Sequence, residues 1–390
     1  MSGFGNILGI RVTLLLGKEA LIAPAPAEAM EAIEEIEVKQ SMETDSGMKL
    51  TLLVGREGPL SALNPPFVQD VRFQRGARAV VVVWNGLKPT PIFDGIVTQT
   101  QYIPGHGDSE GRYVLLARDL SWVMDREQKR TQHPALKDED IVRVLALPYA
   151  VYGLVPKVEP PLVSVPSVPA EGTPQQTSSD LAYIRRLAEV HGFKAFVEPG
   201  PTPGTSQLYV GPVPKAGPPQ KPISVNLGPM SDAYDVTVMH DGETLTAARA
   251  RVQDRATGQV VPLEIPTATT IPQSAMSDAL TQIGQTRTRQ LETSGYNAAQ
   301  VLARLMATVN ASARRVLRVN GTIDNTCYDS ILKPYYAVQI RGLGMIYNGE
   351  YTVAEVRHSL KPGQYTQQFE LWRDGLLPIV PMVTPEVSPL

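Results

Sequence analysis

The chain carries two similar stretches, and they decide the predicted fold. The first runs Phe93-Asp94-Gly95-Ile96-Val97-Thr98, passes a glycine-rich tip and returns to end at Arg118-Asp119. The second runs Tyr347-Asn348-Gly349 into Tyr351-Thr352-Val353, passes a Pro-Gly tip and ends at Arg373-Asp374. Each stretch has an aromatic residue, an Asx-Gly pair, a strand, a glycine tip and a return strand, which is the pattern of a β-hairpin.

The two Asx-Gly glycines, Gly95 and Gly349, lie 254 positions apart (349 − 95). A pattern that recurs at this separation predicts two copies of one β-domain, and chance similarity between two hairpins is the alternative. Gly95 and Gly349 are expected in turns that need a positive φ. Gly363, in the tip Lys361-Pro362-Gly363, is expected to be a third structural turn.

Composition limits the class of protein. A chain of 390 residues predicts two or three domains. It has 34 prolines, where average usage gives about 20, and this favours a β-rich chain with stiff connectors. The net charge is −3 and no stretch concentrates Lys and Arg with aromatics, so no stable nucleic-acid binding is expected. The single cysteine, Cys327, excludes an intrachain disulfide framework and a multi-cysteine zinc site.

The N-terminus lacks the basic region of a signal peptide, and no window approaches 18 apolar residues. The sequence therefore predicts assembly in the cytoplasm without membrane insertion.

The chain is divided into four predicted segments of a β-rich α+β protein. Residues 1–125 are expected to form a first tube-like antiparallel β-barrel. Residues 126–230 are expected to form a small α+β insert with a Pro-rich connector. Residues 231–375 are expected to form a second barrel with a helix at 297–315, and residues 376–390 an extended tail.

Within these segments, the helix signals are strongest in the insert. Ser178-Ser179 is the expected N-cap of an amphipathic helix that ends near His191-Gly192. Acids at residues 138–140 predict a second helix N-terminus. Residues 28–35 fit a helical turn or a strand, and the polar segment 274–290 fits a loop or a surface helix.

Several short motifs together resemble the phage late control protein D family, which comprises baseplate hub proteins of contractile phage tails and the hub half of type VI secretion VgrG spikes. The resemblance covers roughly residues 75–375, in order. The matching stretches are Phe93–Val97, Leu116–Leu120, Ser179–Glu189 followed by His191-Gly192-Phe193, Arg341–Gly344, Asn348–Val353, His358-Ser359 and Gly363–Tyr365.

The resemblance implies a homotrimer whose two barrels per subunit form a pseudo-hexameric ring. That ring would lie under the tail tube protein, with a three-fold spike below and other baseplate proteins around it. VgrG-type chains continue into an oligonucleotide/oligosaccharide-binding domain and a β-helical needle. Here the sequence ends 15 residues after Gly375 (390 − 375), so the resemblance implies a separate spike protein, in a phage tail or an injection particle.

Candidate catalytic chemistry is sparse. The five histidines are scattered and none stands in a metal-ligand motif; His133 with Asp138 and Asp140 is the nearest approach to a cluster. No G-x-S-x-G nucleophile elbow is present. The sequence therefore predicts no enzyme, no metal site and no cofactor. A tail-tip cell-wall hydrolase and a cargo or adaptor module are the alternatives.

The tail 376–390 intersperses four prolines with apolar residues. Such a segment is suited to lie along a neighbouring protein, since the prolines lower the entropy lost on ordering. The expected partner contacts are Pro378, Ile379, Val380, Pro381 and Met382.

Overall fold

The computed structural model of the protein describes most of the chain. The described residues are 10–19, 21–54, 67–106, 110–161, 174–242, 245–253, 258–269, 272–277, 286–293, 296 and 298–379. No helix within these ranges is both long enough and apolar enough to cross a membrane.

The first third of the chain is almost entirely strand, as its short β-branched runs predict. A helical turn, α1 (Ala27–Glu31), precedes the third strand, and a 3-10 turn spans Val71–Phe73. The strands are β1 (Ile10–Lys18), β2 (Leu21–Pro24), β3 (Ile33–Ser41), β4 (Gly47–Val54), β5 (Arg78–Asn85), β6 (Lys88–Ile103) and β7 (Gly111–Asp119).

The middle of the chain is a small α+β unit. Its elements are α2 (Ser121–Met124), β8 (Thr131–Gln132), α3 (Asp138–Ala146), a 3-10 segment (Leu147–Tyr152), β9 (Leu154–Val158), β10 (Gln175–Gln176), α4 (Asp180–Val190), β11 (Lys194–Pro199) and β12 (Ser206–Gly211). Helix α4 begins where predicted, because the Ser179 hydroxyl accepts a hydrogen bond from the Ala182 N–H at 3.3 Å.

The last part returns to strands around one long helix. Its elements are β13 (Gln220–Ser224), a 3-10 turn (Gly228–Met230), β14 (Ala233–His240), β15 (Thr246–Gln253), β16 (Val260–Ile265), β17 (Ser274–Ser277), β18 (Arg287–Gln290), α5 (Ala298–Ala313), β19 (Leu317–Asp324), β20 (Ala337–Arg341), α6 (Gly344–Tyr347), β21 (Gly349–Lys361), β22 (Gln364–Arg373) and β23 (Gly375–Pro378). Helix α5 lies within the predicted helix 297–315.

The prediction of a loop or surface helix at 274–290 was wrong at both ends. β17 pairs with β23, and β18 pairs in parallel with β15. Both partners lie far away in sequence, so local polarity and periodicity could not reveal these strands.

One large sheet dominates the molecule. Its 13 strands run in the order β14-β19-β22-β21-β3-β4-β7-β6-β5-β1-β2, with β20 paired to β21 and β13 paired to β20. The β-rich composition and the extensive antiparallel pairing confirm the β-rich part of the predicted fold class. The early and late parts of the chain are joined within this sheet, because β21 pairs with β3.

Eight consecutive strands of the sheet, starting from its β14 end, repeat one arrangement. Four strands of the late part of the chain lie side by side in the order β14-β19-β22-β21. Numbered along the chain, this order is first, second, fourth, third. Taken the same way, β3, β4, β6 and β7 also lie as first, second, fourth, third. We call these the C-terminal unit and the N-terminal unit; they follow one another along the sheet in the same sense.

Three large apolar cores support this arrangement. The N-terminal unit covers a core centred on Leu50, Val81 and Leu115. The C-terminal unit covers a second core, and the α+β unit packs α3 and α4 on its three-stranded sheet around a third. Leu360 and Tyr365, from the end of the chain, are buried in the first core, so the two units share side chains across their junction.

Candidate assembly surfaces

The two repeated stretches form equivalent hairpins. β6 pairs with β7 and β21 with β22, and each first strand has a one-residue bulge, at Thr98 and at Ala354. On its other side, each first strand pairs with a different strand before the bulge, β6 with β5 and β21 with β20. After the bulge β21 pairs with β3 on that side, whereas β6 has no further pairing there among the described strands. The hairpins are therefore alike in their pairing.

The bulges give a better alignment than the Arg-Asp ends. Val97 lies opposite Ala117, and Val353 lies opposite Leu371. When these two pairs are matched, equivalent residues of the return strands are 254 positions apart in sequence (371 − 117). The two Arg-Asp pairs are 255 positions apart (373 − 118), so they are one residue out of register. The Arg-Asp match in the sequence was therefore wrong as a structural alignment.

The two Arg-Asp pairs also make different contacts. In the first, Asp119 is buried and accepts hydrogen bonds from the Ser46 and Ser121 N–H groups at 2.8 and 3.0 Å. Burial raises the pKa of Asp119 to about 6. In the second, Arg373 is the fully buried member, and it donates to the carbonyls of Gly375, Asn348 and Ile346 at 2.7–2.9 Å.

The predicted turn glycines have three different environments. Gly95 is not in a turn: it lies inside β6 opposite Asp119, because the strand continues through the Asp-Gly pair. Gly349 begins β21 with φ +129°, and a Cβ there would lie 2.9 Å from Pro378 Cβ. Gly363 has φ +76° in the tip between β21 and β22, with nothing within 4 Å of a Cβ.

Replacing Gly95 with alanine is expected to lower the free energy of unfolding by about 1–3 kcal/mol, as overpacking does elsewhere. The added Cβ would lie 2.1 Å from the Arg118 carbonyl oxygen, so β6 and β7 would have to separate. Gly47→Ala is the matched strand control, because its Cβ would make an ordinary 3.5 Å contact with Ala117 O. Denaturant titration compares the two; equal losses would contradict the steric reason.

A buried ion pair fastens the N-terminal unit to the α+β unit. Arg78 and Asp94 are both buried, with Nε to Oδ1 at 2.8 Å and Nη2 to Oδ2 at 2.7 Å. The guanidinium also donates to Glu19 O at 2.6 Å and to Gly204 O at 2.9 Å. Ser206 Oγ donates to Asp94 at 2.8 Å, so one ion pair connects four separate segments.

An open cleft of about 680 Å³ lies between the loop at 41–46, α4, β11 and α5. Several ion pairs join the elements that surround it. Asp45 pairs with Arg118 and Arg185, and Glu43 pairs with Arg315 and lies 3.6 Å from Lys194. These ion pairs connect elements from distant parts of the chain, and such connections hold the elements in fixed positions relative to one another.

The expected tail contacts begin at an exposed apolar surface. Pro378 is in β23 and pairs with Ser274, and Ile379 is 55% exposed. Val380, Pro381 and Met382 lie outside the described residues. On elements that contact β23, Met345 is 83% exposed, Ile346 is 47% exposed, and Met276 also lies in the open. We call Met276, Met345, Ile346 and Ile379 the tail-root patch.

The chemistry-bearing residues are dispersed. The nearest candidate cluster is not assembled: His133 contacts Gln176, Asp138 contacts His191, and Asp140 pairs with Arg143. Within the described ranges, no three His, Cys, Asp or Glu side chains are placed to hold a metal ion.

His358 is a buried histidine in the strand that joins the two units. Its Nδ1 lies 2.8 Å from the Tyr365 hydroxyl, and Nε2 has no hydrogen-bond partner in the described structure. Burial lowers the pKa of His358 to about 3. The ring is therefore neutral in the folded protein and serves packing.

Two like strand units on one sheet, an α+β unit joined to them by a buried ion pair, and exposed apolar surfaces are typical of a structural assembly protein. The family model described as "Phage tail baseplate hub (GPD)" matches residues 67–364. The chain belongs to the phage tail baseplate hub family, and this supports a structural role in a tail baseplate.

Solved structures share the fold at low sequence identity. A tail protein from Neisseria meningitidis MC58 is 13% identical with a TM-score of 0.63, covering 94% of this chain and 98% of that one. The 43 kDa tail protein of prophage MuSo2 from Shewanella oneidensis is 11% identical with a TM-score of 0.65, covering 94% and 100%.

A third similar structure is a component of the Escherichia coli type VI secretion system, 11% identical with a TM-score of 0.51, covering 92% of this chain and 77% of that one. It is described as similar to the T4 bacteriophage tail proteins gp27 and gp5. A comparison with curated protein sequences gives no significant match.

Proposed function

We propose that the protein is a structural hub that assembles as a homotrimer and joins a six-fold tail tube to a separate three-fold spike. The repeated first-second-fourth-third strand order carries this proposal. Three chains with two like units each would offer six similar units around one axis. A ring of that kind can meet six-fold and three-fold partners at once.

The mass of the purified assembly tests this proposal directly. Native mass spectrometry is expected to give three times the 42.4 kDa chain, and class averages by electron microscopy are expected to show a ring of six similar lobes. A stable monomer or dimer at micromolar concentration would contradict the hub assembly.

The proposed role is mechanical rather than enzymatic, in the cytoplasm during assembly and then in the baseplate of a phage tail or injection particle. Family membership and the dispersed histidines support it. Adding pure protein to a turbid cell-wall suspension tests the alternative of a tail-tip hydrolase. Clearing of that suspension would contradict the structural proposal.

We further propose that the tail-root patch and the tail contact the separate spike. The patch places Met276, Met345 and Ile346, on elements that contact β23, near Ile379 at the start of the tail. Exposed apolar surface of this kind is typical of partner contacts. The tail would add an extended segment to that contact. A cargo or adaptor protein is the alternative occupant.

Removing residues 379–390, or changing Met345 and Ile346 to serine, is expected to weaken capture of the spike at least tenfold, or about 1.4 kcal/mol. Trimer mass should not change. Val260→Ser is a matched control, since this residue is also an exposed apolar side chain, on β16. Pull-down with a purified candidate spike protein gives the readout; unchanged capture would rule out the patch.

A further inference from the structure

The open cleft beside α5 has one wall formed by a regular stripe of this helix. Helix α5 buries Val301, Leu305 and Val309 in a core shared with β15. A neighbouring stripe of the same helix faces the cleft, with its residues three or four positions apart. These residues are Arg304, Ala307, Thr308, Ala311, Ser312 and Arg315. The wall is therefore a run of small side chains with an arginine at each end.

The dimensions of the cleft suit a short extended peptide. Arg304 and Arg315 are 11 positions apart (315 − 304), which is about 16 Å along a helix axis. An extended segment of about five residues spans the same distance. The cleft volume of about 680 Å³ lies within the range of about 300–1,000 Å³ found for ligand pockets.

The side chains that line the cleft carry an excess of positive charge. Six of them are cationic, five arginines and one lysine, and four are carboxyl groups. Asp45 and Glu43 each contact two cations. Asp119 is buried and accepts hydrogen bonds from backbone N–H groups, and Glu189 is exposed. The cations therefore outnumber the carboxylates available to neutralise them.

Two arginines of the cleft, Arg289 and Arg304, have no carboxylate partner among the described residues. Arg289 is exposed on β18 opposite Ala248, a residue of the α5 core, so its side chain lies on the α5 side of the sheet. Arg304 donates to the Glu292 carbonyl at 3.1 Å and lies 4.5 Å from the centre of the Tyr296 ring. These contacts orient the Arg304 guanidinium without neutralising its charge.

The excess of positive charge belongs to one part of the sequence. Residues 245–318 contain nine arginines, no lysine and four acidic residues, a net charge of +5. The rest of the chain therefore carries −8 (−3 − 5). Arginine suits carboxylate binding particularly well, because its planar guanidinium can donate two parallel hydrogen bonds to one carboxylate.

We propose that this cleft binds an acidic, extended peptide segment of a partner protein. Its carboxylates would contact Arg289 and Arg304, and its backbone would lie along the small residues of α5. A peptide fits better than a nucleic acid, because Glu43, Asp45 and Glu189 line the other walls and would repel a continuous phosphate backbone. Peptide carboxylates can be spaced to avoid them. The cleft lies within one chain, so this inference goes beyond the proposed trimer and does not depend on it.

Fluorescence polarisation of a labelled peptide, in which glutamates alternate with serines, tests the cleft at physiological salt. Arg289→Gln with Arg304→Gln is expected to weaken binding at least tenfold, because two charge-assisted contacts are lost. A peptide with glutamine in place of glutamate should not bind.

Arg249→Gln with Arg251→Gln is the matched control. It removes the same charge from the same small sheet, but these exposed side chains alternate with the buried residues of β15 and so lie on the face away from α5. Because salt screens charges at this distance, the control is expected to change binding by less than about twofold.

A further variant, Ala311→Gln, tests the shape of the cleft without changing its charge. The longer side chain would occupy the path of the peptide along α5, so binding is expected to fall severalfold while the helix is retained. The melting temperature and native mass of every variant are measured in parallel and should match those of the parent protein, which separates this test from that of the hub assembly.

Three results would count against the cleft. Equal losses in the two arginine pairs would overturn the proposal, since general charge attraction would then explain the binding. Tighter binding of an oligothymidylate than of the glutamate peptide would refute a peptide site and indicate a nucleic-acid site instead. Absence of peptide binding by the parent protein would exclude the proposal outright.

Discussion

Replacing Arg78 with alanine is expected to lower the free energy of unfolding by about 3–5 kcal/mol, since removing one partner of a buried ion pair leaves the other charge unpaired. Asp94 would keep only the hydrogen bond from Ser206, and the carbonyls of Glu19 and Gly204 would lose their donor. Four segments would loosen together, so limited proteolysis should release the α+β unit earlier than in the parent protein.

Arg72→Ala is the matched control for this experiment. Arg72 also makes a two-pronged contact with an aspartate, Asp70, but at the surface, where its side chain is 46% exposed. Exposed pairs of this kind contribute little to stability because water and salt screen them. Denaturant titrations at one protein concentration compare the two variants; similar losses would mean that burial of the Arg78 pair is unimportant.

The second large effect is a pH dependence carried by His358. Its folded pKa of about 3 lies below the unfolded value of 6.5, so between these limits the unfolded chain binds a proton that the folded chain does not. Stability from this residue is therefore lost as the pH falls from 6.5 towards 3, by about 1.4 kcal/mol per pH unit. When the pH is lowered from 7 to 4, the free energy of unfolding of His358→Gln is expected to rise by about 3 kcal/mol relative to that of the parent protein.

Asp119 has the opposite effect on the pH dependence of stability and therefore provides a control. Its folded pKa of about 6 lies above the ordinary value of 3.8, so the folded chain binds the extra proton and stability from this residue rises as the pH falls through that window. Asp119→Asn should therefore lose stability relative to the parent on acidification. The free energies of unfolding of both variants are measured at pH 7 and pH 4. Changes of the same sign in the two variants would contradict the opposite pKa shifts of His358 and Asp119.

Much of the fold was accessible from local sequence signals. The Ser179 cap, the helix at 298–313 and both hairpins follow from capping, periodicity and turn residues. The family was accessible too, because its short motifs keep their order along the chain. These features depend on neighbours within a few residues, which sequence patterns describe well.

Features that depend on distant partners were not accessible. The Asp94-Gly95 pair has the composition of a turn, yet Arg78 holds Asp94 inside a strand. The bulges at Thr98 and Ala354 have no sequence signature, so the Arg-Asp ends were matched instead. The pairing of β3 with β21, which makes one sheet of the two units, appears only in the folded chain.

That pairing also bears on synthesis. His358 and Val38 are 320 residues apart (358 − 38) yet lie side by side, and Leu360 and Tyr365 complete the core begun by the first strands. A ribosome therefore releases β3 long before its partner exists, and the first unit stays incomplete until translation is nearly over. During that interval its uncovered strand edge is open to wrong pairing with other nascent chains. Hosts that make this protein in quantity should depend on chaperones that shield the early strands until the last hairpin emerges.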